Sequence, residues 1–218
     1  MIRAFAGALL AFSSVGSAGL ITWTDWTSAT TGNAGSASGT LGAATVTYTG
    51  QVFTATQTAG GTNFWLPNNP FLFGGVANEP PCCDIITMST GGTRTITFSS
   101  GILNPIIAFV SVNQPVTAVA FSGTQAGGTG VATQLTVGSN GGHFGTGSAT
   151  VIGNVLTPTG DYHGVVQLNG LYTSITLNVT GDETWSGFTI GYDTVPEPST
   201  FALLGLGLAG FAMVRRRR

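Results

Sequence analysis

The stretch HGVVQLNGLYTSITLNV (residues 163–179) alternates apolar and polar side chains on both sides of an Asn-Gly pair. A period of two predicts β-strands. Asn169-Gly170 between two such runs predicts a hairpin closed by a type I′ turn, whose central positions both need positive φ. The hairpin would have an apolar core face and a polar wet face. The predicted core face carries Val166, Leu168, Leu171, Ile175, Leu177 and Val179, and the predicted wet face carries His163, Gln167, Tyr172, Ser174, Thr176 and Asn178.

Similar alternating runs recur along the middle of the chain, where helical periodicity is hard to find. Gly-rich stretches separate the runs and predict turns. About nine or ten short strands in one domain predict an all-β fold, an antiparallel β-sandwich that is jelly-roll-like. Residues 60–88 are rich in proline and aromatic residues and predict a long ordered loop or lid. NPIIAFVSV (104–112) is apolar on both faces, as a central strand would be. The other runs are ATVTYTG (44–50), QVFTATQ (51–57), TRTITFSS (93–100), PVTAVAFSG (115–123), VATQLTVG (131–138), SATVIGNVLT (148–157) and TWSGFTIGYD (184–193).

The composition is unusually poor in charge, since only 6% of the residues are charged and lysine is absent. Thr, Ser, Gly and Asn supply the polarity, and Thr suits strands because its branched Cβ fits the pleat. Between Gly19 and Thr194 the chain has one arginine, Arg94, against seven acids, a formal charge of −6. Such a body cannot neutralise many phosphates, which argues against a nucleic-acid partner. The composition is typical of an exported protein.

The N-terminal segment has the layout of a secretory signal peptide, expected as a helix. Arg3 precedes a short apolar run, and Gly16 and Ala18 occupy the −3 and −1 positions of a cut after Ala18. The apolar run is well short of the ~20 residues that a membrane span needs. The predicted parts of the chain are a signal peptide (1–18), a β-sandwich extracellular domain (19–194) and a C-terminal tail (195–218).

The tail, VPEPSTFALLGLGLAGFAMVRRRR (195–218), contains GLGLAG, which fits the G-x-G-x-x-G pattern. No strand precedes it and no acidic residue follows, so a dinucleotide site is excluded. The apolar run from Phe201 to Val214 has 14 residues, which is also short for a span. Four arginines at its end favour the cytoplasmic side of a membrane. A short transmembrane helix with the body outside is therefore predicted.

Three features of the tail, in this order and spacing, resemble the PEP-CTERM sorting signal of bacterial surface proteins. They are Pro196-Glu197-Pro198, the apolar run, and the cluster Arg215, Arg216, Arg217 and Arg218. The resemblance implies that an exosortase recognises the tail as a transient membrane anchor and cuts near the PEP motif. It also implies an inner-membrane precursor, then a cell-surface or extracellular protein that accompanies exopolysaccharide and biofilm production. More loosely, residues 85–122 and 163–193 resemble a β-sandwich body common among PEP-CTERM proteins.

Two tryptophans are candidate glycan contacts. Trp65 lies in the predicted loop, and Trp185 lies opposite the apolar face of its predicted strand. An exposed indole with polar groups at its rim is a usual platform for a sugar ring. The alternative is that both tryptophans cover the ends of the sandwich.

The remaining candidate sites are expected to have ordinary structural roles. Cys82-Cys83 has neither zinc-site nor C-x-x-C spacing and is expected to be a buried or oxidised pair that tethers a loop. Asp182-Glu183 with Asp161 could bind Ca²⁺, although neighbouring acids in a turn are usually solvated. His143 or His163 could join a Ser-His-Asp triad, but no G-x-S-x-G context marks a nucleophile, and both histidines are expected on the surface instead. No catalytic residue, metal site or cofactor is predicted.

These observations predict a non-enzymatic, structural or adhesive protein of the extracellular polysaccharide matrix, sorted by an exosortase. A glycan-binding, lectin-like module that uses Trp185 and Trp65 is the alternative. A secreted matrix hydrolase is a third hypothesis, and it would need two carboxyl groups converging ~5–10 Å apart in a cleft.

Overall fold

The computed structural model describes residues 19–67, 71–72, 76–113, 119–123, 132–134, 145 and 147–194. These residues form fourteen strands and no α-helix. The predicted signal-peptide helix and transmembrane helix lie outside the described residues. Within them, no helix is long and apolar enough to cross a membrane.

The strands, in chain order, are β1 (Ile21–Trp23), β2 (Asp25–Thr30), β3 (Gly32–Leu41), β4 (Ala44–Val52), β5 (Ile86–Met88), β6 (Gly92–Leu103), β7 (Ile106–Val112), β8 (Val119–Ser122), β9 (Ala132–Gln134), β10 (Gly147–Ile152), β11 (Val155–Gly160), β12 (Tyr162–Leu168), β13 (Leu171–Val179) and β14 (Ser186–Asp193).

The strands make two antiparallel sheets. One has eight strands in the order β10-β11-β8-β13-β6-β4-β3-β2, and the other has the order β1-β14-β7-β12-β9, with β5 also paired to β14. The all-β class is therefore confirmed, and the finer jelly-roll-like description stays a prediction.

The inner faces of the two sheets share one hydrophobic core. The Tyr48 ring on β4 lies 5.5 Å from the Phe188 ring on β14, and the Phe109 ring on β7 lies 6.2 Å from the Phe121 ring on β8. Each pair joins one sheet to the other, as in a sandwich. Full burial of such a side chain contributes about 1.5–3 kcal/mol to stability.

A second apolar cluster covers the outer face of the six-stranded sheet. It contains Trp65, Phe71 and Val76 from the segment between β4 and β5, packed with residues of β7 such as Ala108 and Val110. This packing explains why every residue of β7 is buried. The prediction that NPIIAFVSV is a central strand, apolar on both faces, is confirmed.

The predicted hairpin at Asn169-Gly170 is wrong. β12 pairs with β7 and β9 in one sheet, whereas β13 pairs with β6 and β8 in the other. Asn169-Gly170 is therefore a crossover between sheets, and it packs on Asn104, which joins β6 to β7. The Gly170 amide donates to Asn104 Oδ1 at 2.8 Å, and the Asn104 amide donates to the Gly170 carbonyl at 2.7 Å.

The physical reason is that the two strands have different surroundings. β12 is almost wholly buried because its sheet is covered on both faces, whereas β13 keeps one wet face. Ile175, Leu177 and Val179 point to the core as predicted. Tyr172 is buried against the prediction, next to a register shift between Tyr172 and Ser174.

Candidate functional site

The outer face of the eight-stranded sheet carries two continuous rows of hydroxyl side chains. In each row, every residue is the register partner of the next one on the neighbouring strand. All are exposed or partly exposed. The first row is Ser28, Ser38, Thr47, Thr97 and Ser174, and the second row is Thr30, Ser36, Thr49, Thr95, Thr176 and Ser122. We call these eleven residues the hydroxyl face.

Local sequence explains why the hydroxyl groups point outwards. In ATVTYT, Val46 and Tyr48 are fully buried while the threonines that alternate with them are exposed, and TRTITF in β6 repeats the pattern. Successive side chains of a strand point to opposite faces of the sheet. Because the apolar side chains of these strands face the core, the threonines that alternate with them face the solvent. Neighbouring strands lie about 4.8 Å apart, so the second row, over six strands, extends about 24 Å.

Hydrogen bonds order part of this surface. The Ser28 and Ser38 hydroxyls lie 2.7 Å apart, across the pair β2 and β3. Beyond the two rows, Thr93 Oγ1 donates to Asn178 Oδ1 at 2.7 Å. Ser and Thr hydroxyls can donate or accept hydrogen bonds, so the face can donate hydrogen bonds to a polyhydroxylated ligand and also accept them from it. Sequence reasoning missed this site, although the repeated T-x-T pattern was its signal.

Charge is nearly absent from the strands that build the hydroxyl face. Four neighbouring strands of this sheet, β3, β4, β6 and β13, together contain one charged residue, Arg94. The Arg94 side chain points to the core and is 1% exposed, with Nη1 donating to the Gly92 carbonyl at 2.8 Å and Nη2 to the Thr90 carbonyl. Burial lowers the pKa of Arg94, and burial also raises the pKa of Tyr48 beside it to about 12.

A groove of about 550 Å³ lies at one end of the molecule, beside the end of β14. Leu41, Ile102 and Leu103 contribute apolar surface, and its polar lining includes Gln167 and Asp193. Asp193 is the residue before Thr194, which also lines the groove where the chain continues towards the tail.

The two candidate tryptophans differ in exposure. Trp65 is 0% exposed and packs edge-on against Phe71, with ring centroids 5.3 Å apart. Its indole therefore presents no face to a sugar, which corrects the expectation of an exposed platform. Trp185 is partly exposed and lies 5.0 Å from the Phe64 ring. Trp185 stays a candidate contact.

Cys82 and Cys83 form a disulfide between neighbours, joined by a cis peptide bond. Cys82 is exposed and Cys83 is buried. The expectation of a buried or oxidised pair that tethers a loop stays a prediction.

A polar cluster surrounds His163, which is fully buried rather than on the surface as expected. The Ser111 amide donates to His163 Nδ1 at 3.1 Å, and His163 Nε2 lies 3.7 Å from Asp161 Oδ1. His143 lies outside the described residues.

Glu183 lies beside this cluster and accepts a hydrogen bond from the Asn113 amide at Oε2, 3.0 Å away. Burial, helped by the nearby Asp161 carboxylate, raises the pKa of Glu183 to about 7, against the lowering effect of hydrogen bonds from Ser186 and Asn113 and of the Arg94 charge. Asp182 is exposed instead, and its carboxylate accepts from the Gly91 amide at 2.6 Å. In the described part of the chain, no three His, Cys, Asp or Glu side chains group as metal ligands would.

The body is thus an all-β protein of two antiparallel sheets, and its last strand leads into residues 194–218. Those residues match the PEP-CTERM protein-sorting motif, so the chain is a protein with a PEP-CTERM sorting tail. The motif implies exosortase-dependent sorting of an exported protein. No curated protein and no solved structure matches the chain.

The predicted tail residues fall within this match and outside the described residues. Pro196, Glu197 and Pro198 form its proline-flanked acid, and Arg215–Arg218 end the chain. Their separate roles in processing and in membrane orientation stay predictions.

Proposed function

We propose that this chain is a non-catalytic structural and adhesive protein of the extracellular polysaccharide matrix, and that it binds neutral polysaccharide through the hydroxyl face. The observation that carries this proposal is the register of the two hydroxyl rows, which continues over five and six neighbouring strands. Polysaccharides are themselves regular arrays of hydroxyl groups. Side chains that both donate and accept hydrogen bonds can pair with such an array whichever way each hydroxyl of the polysaccharide points.

Electrostatics support a neutral ligand. The rows contain no charged side chain, and the body around them has a formal charge of −6. An anionic polymer such as a nucleic acid or an acidic glycan would meet repulsion and find no exposed cation to offset it. A neutral polysaccharide meets neither obstacle.

The shape of the sheet favours a flexible polymer over a flat crystalline lattice. Neighbouring strands rotate by roughly 20–25° relative to each other, so a rigid plane would touch only a few strands at once. A polysaccharide chain can follow the twist. Each hydrogen bond would contribute a net of about 0.5–1.5 kcal/mol, and repetition along chain and face would supply avidity.

Delivery to the matrix follows from the two ends of the chain. The signal peptide (1–18) directs export, and the transmembrane helix of the tail (195–218) holds the precursor in the inner membrane. Exosortase then cuts near Pro196-Glu197-Pro198 and the β-sandwich (19–194) reaches the cell surface or the extracellular space. The matched sorting motif supports exosortase as the partner in this sequence of events.

A second candidate function is a lectin-like module centred on Trp185. The partly exposed Trp185 ring packs against Phe64 at 5.0 Å, and together they offer an apolar platform for one sugar ring. The two proposals place the ligand on different surfaces.

The experiment uses the exported protein and measures co-sedimentation with swollen, amorphous cellulose, whose chains are neutral and not held in a flat lattice, and with polygalacturonate gel as the acidic comparison. The test variant combines Thr47→Val, Thr49→Val and Thr97→Val, which remove hydroxyls and keep side-chain shape. The control combines Thr54→Val, Thr62→Val and Thr184→Val at exposed positions off the face. We expect the test variant alone to lose at least about fivefold in cellulose binding, since about 1 kcal/mol is such a factor.

Other outcomes would redirect the assignment. Unchanged cellulose binding in the triple variant, combined with loss in Trp185→Ala, would favour the lectin-like module. Stronger binding to polygalacturonate than to cellulose would contradict the neutral-ligand proposal. Release of soluble sugar from cellulose by the unaltered protein would favour the hydrolase.

A further inference from the structure

The Asp193 carboxylate at the end of β14 lies against the backbone of Gly19. A Cβ built on residue 19 would lie 2.5 Å from Asp193 Cγ. Since a carbon–carbon bond is about 1.5 Å long, Asp193 Cγ lies within about 4 Å of Gly19 Cα. Only glycine leaves room for this approach.

Asp193 Oδ1 is buried and has no hydrogen-bond partner among the described residues. A buried carboxylate oxygen without a hydrogen-bond partner destabilises the folded protein. Buried charges in proteins are normally paired. Asp193 as a whole is partly exposed, so it is the buried Oδ1 beside Gly19 that a cationic or hydrogen-donating group would satisfy.

The segment that starts at Gly19 is held in place by the body. The Ala77 amide donates to the Gly19 carbonyl at 3.0 Å, and the Ile21 amide donates to Asn78 Oδ1 at 2.7 Å. The Thr194 amide and hydroxyl both donate to the Leu20 carbonyl, at 3.1 and 2.8 Å. These bonds involve residues 19–21 and do not need the residues before them.

We propose that signal-peptide cleavage creates the partner of Asp193: the new α-ammonium of Gly19 binds the Asp193 carboxylate. This rests on the proposed export and on cleavage after Ala18. Water hydrolyses the Ala18–Gly19 amide bond, Ala18 keeps the new carboxylate, and the Gly19 nitrogen is protonated. An ammonium then stands where the precursor has an uncharged amide.

The ion pair would join the two ends of the mature body. Ile21 and Asp193 are register partners in the pair of β1 and β14, so the ammonium would clamp an edge strand onto the strand that leads to the sorting tail. Removal of one targeting segment thereby stabilises the attachment point of the other. The pKa of the Gly19 α-amine would rise above its usual range of about 7.7–8.0, because the carboxylate favours the charged form.

The absence of lysine allows a clean test, because the Gly19 α-amine is then the single primary amine of the mature protein. The exported protein is isolated and its N-terminal residue is identified by mass spectrometry. It is then treated with acetic anhydride, and the rate of acetylation is measured against pH. The same measurements are made on Asp193→Asn and on the control Asp25→Asn, which alters an exposed acid elsewhere.

We expect the unaltered protein to begin at Gly19 and to react about tenfold more slowly at pH 7 than Asp193→Asn, a factor equal to one pKa unit. Acetylation should lower the melting temperature of the unaltered protein and of Asp25→Asn, and leave that of Asp193→Asn unchanged. An equal acetylation rate in all three proteins would overturn the ion pair, as would an equal loss of melting temperature. A mature N-terminus other than Gly19 would overturn the cleavage on which it rests, without affecting polysaccharide binding by the hydroxyl face.

Discussion

Trp26 on β2 contacts Thr189 on β14, where the indole Nε1 donates to the Thr189 hydroxyl at 3.1 Å. Both side chains are 0% exposed. The bond links the edge of the eight-stranded sheet to the middle of the other sheet. It is therefore a point at which the pairing of the two sheets can be tested.

Replacing Trp26 with Phe should lower the free energy of unfolding by about 2–4 kcal/mol, because it leaves a cavity and deprives Thr189 of its donor. Chemical denaturation measures the change. Thr189→Val should cost about 1–3 kcal/mol, and the double variant should cost less than the sum. Trp185→Phe, at a partly exposed site, is the control and should change little. Strict additivity would contradict the proposed coupling.

Arg94→Lys should destabilise the protein by about 1–3 kcal/mol although the charge is kept. The guanidinium donates to the Gly92 and Thr90 carbonyls from two different nitrogens, and an ammonium cannot reproduce that planar fork. Thermal unfolding measures the loss, with the exposed Thr97→Ser as control. A variant as stable as the unaltered protein would show that the two carbonyls find other donors.

Glu183 should make stability fall as the pH rises. Its pKa is about 7 in the folded protein, raised by burial from the ordinary value of 4.5. The neutral acid is favoured by folding, so its contribution is complete below about pH 4.5 and is lost between there and about pH 7. We expect a fall of about 1–3 kcal/mol across that window, after allowance for partial solvent screening.

Glu183→Gln should flatten this part of the pH profile of unfolding. Asp84, whose pKa burial raises to about 6, acts in the same direction, so Asp84→Asn should remove a further part. The exposed Asp182→Asn is the matched control and should leave the slope between pH 4.5 and 7 unchanged. A profile that rises over this range in the unaltered protein would contradict the sign.

Glu197→Ala should block processing of the tail and leave the full-length precursor in the inner membrane. The reason is that the motif matched at residues 194–218 contains one acid, flanked by Pro196 and Pro198. Fractionation and intact-mass measurement distinguish precursor from processed protein. Glu79→Ala in the body is the control and should mature normally. Release of mature Glu197→Ala protein at the normal rate would refute the role given to Glu197.

Several features of the molecule could be predicted from local pattern. Val46 and Tyr48 are buried and Thr47 and Thr49 are exposed, as alternation requires, because strand geometry alone sends neighbours to opposite faces. The sorting tail could also be predicted from the sequence, because its motif depends on the order of residues and not on a fold.

Other features depended on contacts between distant residues. Asn169-Gly170 has the local chemistry of a hairpin turn, and Gly170 does have a positive φ. The pair nevertheless forms a crossover between the sheets, because β12 pairs with β7 and β9 and not with β13. Trp65 is buried because the segment between β4 and β5 packs on the outside of β7, and His163 lies in β12, which is almost wholly buried. Alternation within one strand cannot reveal either.

The sequence by itself determined the all-β class, the strand faces and the sorting tail, since each rests on interactions or patterns within a few residues. Tertiary structure decided which strands share a sheet, and hence that Thr47 stands beside Thr97 and Gly19 beside Asp193. Both relationships join residues far apart in the chain, and their register is set by how the two sheets bury a common core. The hydroxyl face and the contact between Gly19 and the buried Oδ1 of Asp193 exist only at that level.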